Sequence, residues 1–157
     1  DNRDGPTLLV LTRQACAHQA REPAQVANIA RGGYVLIEPA GGPEAIVIAT
    51  GSEVGIASEA VRTVNAKGGK VRLVSMPSTN RFDAQDDAYK ESVLPAAVTR
   101  RVAVEAGVRA AWWRYVGLKG QIVGIDHFGA SAPAKVLFQQ FGFTAEKVVE
   151  AIGKVLR

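Results

Sequence analysis

One cysteine, two histidines and one methionine stand in 157 residues, and each scarcity closes off some chemistry. Cys16 has no second cysteine to bridge to, which excludes an internal disulfide and points to a reducing, cytoplasmic setting. Cys16, His18 and His127 lie among scattered carboxylates at no metal-ligand spacing. Long apolar runs are missing, and those present are a handful of residues, far short of a membrane span. Blocks of one charge are missing too. Nineteen Lys and Arg against fifteen Asp and Glu give a net charge of +4. Only Arg100 and Arg101 are adjacent, so no basic stripe interleaved with aromatics is present and nucleic-acid binding is not expected. The chain opens on Asp1-Asn2-Arg3-Asp4, with neither an initiator methionine nor an apolar leader. This opening suggests the C-terminal part of something longer.

What is present is globular: 47% apolar and 22% charged residues, in a length that suits one ordinary domain. Leu8-Leu9-Val10-Leu11 is an apolar run ending in Thr12, Arg13 and Gln14. The pattern predicts a strand over 8–12, buried on both faces as in a parallel sheet. Such a strand delivers its polar triplet to the sheet's C-terminal edge, where open α/β sheets bind ligands. There the Arg13 guanidinium, a planar and permanent cation, suits a phosphate or carboxylate. The plain alternative is a surface arginine that solvates the strand end. A lone strand needs neighbours, and this one is expected to belong to another domain's sheet.

Residues 15–33 read as a linker carrying one short helix, with Pro23 near its start and Gly32-Gly33 as its stop. From residue 34 strands and helices alternate. Strands are expected at 34–37, 45–49, 71–74, 101–104 and 122–125. Helices are expected from the TGSE turn to about 66, then over 84–93, 110–115, 134–141 and 145–156, the last opened by Thr144 as N-cap. Thr50 and Glu53 have capping-box spacing, with Ser52 a rival N-cap. The Gly/Pro turn at 38–43 allows a hairpin between the strands at 34–37 and 45–49, which would place one antiparallel strand at the sheet edge. The alternation predicts an α/β fold, a three-layer α/β/α sandwich around a five-stranded mixed, mostly parallel sheet.

Several local constellations invite chemistry. Thr50-Gly51-Ser52-Glu53 joins a strand to a helix N-terminus, a generic anion site, or simply a tight turn with a capped helix. It is neither a P-loop nor a dinucleotide fingerprint. Asp126, His127 and Ser131 lie in DHFGASAP, but adjacent Asp and His cannot readily orient one another as a triad requires, and no GxSxG elbow is present. This segment reads as a shaped loop that packs on a neighbouring domain or subunit. Trp112-Trp113 fits an interface anchor or the core. Glu105 ends a strand, with no partner carboxylate.

Taken together, LLVLTRQ, ANIARGGYVL, IVIATGSEV, VRLVSMPST with FDAQDDAYKESVLP, RVAVEAG and FGASAPAKVLFQQFGFT resemble, in this order, the C-terminal part of transketolases. The resemblance implies a transferase that moves a two-carbon ketol unit from a ketose phosphate to an aldose phosphate, as in the pentose phosphate pathway and Calvin cycle. It implies thiamine diphosphate with Mg²⁺ or Ca²⁺, and a three-domain homodimer. By this likeness residues 1–14 hold the last strand of the middle, pyrimidine-binding domain, 15–33 a linker, and 34–157 the C-terminal domain. Arg13 matches the family's arginine for the sugar phosphate. The GDG motif, the cofactor-activating glutamate and the channel histidines have no counterpart here, so no catalytic, cofactor-binding or metal-binding residue is expected in this chain. The isolated chain is then expected to be inactive, with the remainder of a transketolase chain as its partner. The alternative is a non-catalytic dimerisation or ligand-binding module.

Overall fold

The strand Ala45–Ala49 (β2) is the centre of the molecule. All five of its residues are buried, as suits a strand covered on both faces. The computed structural model describes residues 5–157, so the first four residues of the polar opening lie outside it. Around β2 stand β1 (Tyr34–Ile37), β3 (Val71–Ser75), β4 (Arg101–Val104) and β5 (Gln121–Val123). The sheet order is β1-β3-β2-β4-β5. β3, β2, β4 and β5 run parallel, and β1 is antiparallel to β3. The mixed five-stranded sheet is as the sequence predicts, but the hairpin is not. β3 and β4 take both edges of β2, so the chain leaving β1 must pass over β3 to reach the centre. Pairing slips between Val35 and Ile37. Gln25 donates from Nε2 to the carbonyls of Val35 (2.9 Å) and Leu36 (3.0 Å), which keeps the polar groups there satisfied.

The two-residue period of the strands separates two cores. Ala45, Val47, Leu73, Val102 and Val104 pack on Val54, Ala57 and Val61 of α2 (Glu53–Asn65) and on Val148 and Ile152 of α7 (Ala145–Leu156). On the other face Ile46, Ile48, Val74 and Ala103 meet Phe82 of α3 (Thr79–Asp83), Tyr89 and Val93 of α4 (Asp87–Val93), Trp112, and Tyr115 of α5 (Trp113–Val116). Three layers result. α1 (Pro23–Asn28) carries Gln25, and α6 (Ala134–Phe141) precedes α7.

The caps refine the predicted helices. Thr144 accepts from the Lys147 amide (3.3 Å), as expected. The helix expected over 84–93 begins at Asp87, capped by Asp86, which accepts from the Tyr89 amide at 2.8 Å, and an unexpected short helix, α3, capped by Ser78, precedes it. No capping box forms at 50–53: Ser52 stands at the N-cap with no side-chain cap bond. Trp112 is core, whereas Trp113 is 45% exposed.

Residues 8–12 form no strand, and Leu8, Leu9, Val10 and Leu11 are each at least 76% exposed. A strand exists only where another pairs with it, and the edge strands β1 and β5 do not receive this one. Two arginines anchor the frame. Arg72 binds Glu38 (2.6 and 3.0 Å) and the carbonyls of Ser92 and Val93, both at 2.8 Å. Arg101 donates to the carbonyls of Leu94, Pro95, Val98 and Tyr115 at 2.8–3.1 Å. Among the described residues no helix is long and apolar enough to cross a membrane.

Candidate functional site at the sheet's C-terminal edge

From β2 the chain passes through α2 to β3 on one side, then returns through α3 and α4 to β4 on the other. The crevice between the C-terminal ends of β2 and β4 is therefore the switch point, the place where open α/β sheets take ligands. Here that crevice is filled from within. Glu53, 4% exposed, directs its carboxylate across the gap and accepts the Ala106 amide beyond β4 at 3.2 Å. The Ser52 hydroxyl bonds its other oxygen. Burial pushes the Glu53 carboxyl above its usual range, and the nearby Glu105 charge adds to this, while the Ser52 and Ala106 bonds oppose it. TGSEV thus closes the crevice with its own carboxyl group.

Glu105 is likewise committed. The Trp112 indole donates to its Oε2 at 2.6 Å, so it orients a core ring. Asp126 is held by the Arg109 guanidinium and amide, at 2.6 and 3.0 Å, and these bonds hold its carboxyl below the usual range. The His127 Nδ1 lies 2.8 Å from the Phe128 carbonyl, and its ring meets Phe141 edge-on at 5.1 Å. Neither residue is poised on Ser131 to form a nucleophile and base. What the structure does bring together is Arg13 and Ser131. With Gln14, Pro133, Leu137 and Phe138 they line a shallow cleft of about 520 Å³. Beside it, Cys16, His18 and Arg21 flank a second cleft of about 400 Å³ with Tyr34, Ser52 and Ser75. Arg21 ties this strap down by donating to the Tyr34 hydroxyl (2.6 Å) and the Gln19 carbonyl (2.6 Å). Among the described residues no group of three His, Cys, Asp or Glu side chains could hold a metal.

Sequence reasoning missed the roles of Arg21, Arg72 and Arg101. It also missed that Glu53 spans to Ala106, 53 residues on. The signal for Glu53 was an acidic residue at the head of an otherwise apolar helix face, where a cap would be expected to face water.

By architecture this is a doubly wound α/β domain with an antiparallel edge strand and a closed switch point. It belongs to the transketolase family: the family model described as the Transketolase-like TK C-terminal domain matches residues 32–144. The chain is 58% identical to Transketolase 1 of Escherichia coli over 156 residues, which is 99% of this chain and 24% of that protein. Among solved structures, transketolase from Leishmania mexicana superposes with a TM-score of 0.74 at 38% identity, over 84% of this chain and 19% of that one. Transketolase from Pichia stipitis in complex with sedoheptulose 7-phosphate gives 0.74 at 36% identity, over 83% and 19%. The chain thus spans about a quarter of the length of the curated relatives it matches.

Proposed function

We propose that this chain is the C-terminal part of a transketolase, an enzyme that transfers a two-carbon ketol unit from a ketose phosphate to an aldose phosphate. The observation that carries this reading is the 58% identity to a transketolase over 156 residues, 99% of this chain. In this reading residues 1–14 complete the sheet of the preceding domain, 15–33 are the linker, and 34–157 are the C-terminal domain. The exposed run Leu8–Leu11 supports it, since such a segment is unfavourable in water unless another sheet covers it.

Arg13 grips the terminal phosphate of the sugar. A guanidinium makes two parallel charge-assisted bonds to a phosphate, and holding that remote end positions the reacting carbons without taking part in bond cleavage. The relative solved with sedoheptulose 7-phosphate supports a sugar phosphate as the ligand. Thiamine diphosphate and its divalent metal would supply the carbanion chemistry. Among the described residues no acid, histidine or cysteine cluster fits that metal. That machinery is assigned to the remainder of the enzyme and of its homodimer, and the chain by itself is inactive. For the domain 34–157 taken alone, closure of the switch point by Glu53 favours a structural role over ligand binding there.

The test is Arg13→Ala in the complete enzyme. KM for phosphorylated sugars should rise roughly 10- to 100-fold, the equivalent of about 1.5–3 kcal/mol for a lost charged contact, with kcat little changed. Unphosphorylated acceptors should be unaffected. Equal losses on both kinds of acceptor would sink the assignment.

A further inference from the structure

The edge of the sheet opposite the proposed site holds a second cleft, of about 540 Å³, between the loops that lead into β2 and β4 and the end of α7. Its cations are Arg100, Lys119 and Arg157, with Thr99 between the walls. The one acidic side chain in the lining, Glu44, is engaged by Lys70 at 3.5 Å. Several other surface cations meet carboxylates, Arg31 with Asp86, Lys90 with Asp87, Arg109 with Asp126, Arg114 with Asp83, and Lys147 and Lys154 with Glu150, while Arg13, Arg62, Lys67, Arg81 and Lys135 stand apart from one another without such a pair among the described residues. Among the described residues Arg100, Lys119 and Arg157 form no such pair. Three cations gathered in one concavity raise the local positive potential, and a mobile counter-ion only partly relieves it.

Part of the scaffold beneath them is cross-linked by hydrogen bonds. Arg101, next to Arg100, holds the carbonyls of Leu94, Pro95 and Val98 on one side and of Tyr115 on the other. This guanidinium ties the loop before β4, which carries Arg100, to α5, and Lys119 lies in the turn that follows α5. The Arg100 carbonyl is itself fixed, as it accepts the Ile46 amide at 2.9 Å. Cations on a fixed frame lose less entropy when they close on an anion than cations on mobile loops.

We propose that this cleft binds a compact polyanion with two or more phosphate groups, held by Arg100 and Lys119 with Arg157 at the rim. Its volume suits a small molecule, and its distance along the strands from the Arg13 edge separates it from ketol transfer. Inorganic pyrophosphate is the probe. The chain is titrated with it at about 0.15 M KCl, where diffuse attraction is screened over roughly 8 Å, and followed by amide NMR shifts and by melting temperature. Saturable binding with Kd below about 1 mM is expected, with shifts confined to 97–100, 119 and 155–157 and a rise in Tm. Arg100→Gln with Lys119→Gln should weaken binding at least tenfold. Arg62→Gln with Lys67→Gln, which removes the same charge from α2 and the turn after it, should leave it unchanged. Equal weakening in both double variants would reduce the effect to net charge and overturn the site. So would shifts centred elsewhere or an absence of saturation. Because the probe carries no sugar, failure here leaves the Arg13 assignment standing, and failure of that assignment leaves this one.

Discussion

Glu53 is the residue whose chemistry is most at odds with its surroundings. Its carboxyl lies in the core at the head of α2, and burial raises its pKa above the ordinary carboxyl value. The folded state therefore holds this proton at pH values where the unfolded chain has released it. Stability contributed by the protonated form is present below the unfolded pKa and is lost as pH rises through the folded one. Glu53→Gln keeps an acceptor for Ala106 and lets the Ser52 hydroxyl turn. Denaturant unfolding of the variant should show a flatter decline above pH 4.5 than the parent does, and parallel curves would refute the linkage. The exposed acids act in the opposite direction. Asp87, Asp126, Glu146 and Glu150 are held low, Glu150 at about 2 by Lys147 and Lys154, so what they contribute is lost only as pH falls. Arg72 makes a simpler case. Arg72→Met leaves the Ser92 and Val93 carbonyls without their donor in a buried place, while Glu38 returns to water. A loss of about 2–3 kcal/mol should appear in urea unfolding.

At the scale of elements, α7 closes one face of the sheet with a stripe of Val148, Ala151 and Ile152. Ile152 is 1% exposed, so Ile152→Ala removes buried atoms and leaves a cavity, at a cost of about 2–4 kcal/mol measured by chemical denaturation. The turn into β1 depends on Gly32, whose φ of +87° suits glycine. A Cβ there would collide with the Ser78 carbonyl and the Phe82 amide at the start of α3. Gly32→Ala should therefore cost at least about 2 kcal/mol and loosen β1 and α3 together, which hydrogen exchange would reveal. The sequence placed a helix stop here correctly. The backbone of α3, against which that stop is packed, lay 46 residues on and left no local trace.

Among the described residues a packed sandwich stands beside an exposed apolar run, Leu8 to Leu11. Leu9→Lys with Leu11→Lys should leave the unfolding free energy of the isolated chain within about 0.5 kcal/mol and raise its solubility. In a complete transketolase the same pair should be destabilising, because the run would then sit in a sheet. Unchanged stability in both settings would remove the assignment of 8–12 to another domain. The five strands from residue 34 onward were legible because short apolar runs between turn residues leave few alternatives. The candidate site was less so: Arg13 stood out by its place at the end of such a run, while the closing of the switch point did not.

Composition and local pattern determined the layers of this protein, since alternation of apolar runs with helical stripes admits only a sheet covered on both faces. They also determined where the helical stretch begun by α1 stops, at Gly32, and where α7 starts, at Thr144, because each residue acts on neighbours within a turn. Tertiary structure alone decided that β1 joins β3 and not β2, because strand order depends on which edges remain open once the centre is paired. It alone brought Glu53 to Ala106 and Arg101 to the Tyr115 carbonyl, and it set Arg13 and Ser131 on one cleft. Those contacts join segments from different stretches of the chain, and one-dimensional periodicity carries no record of them.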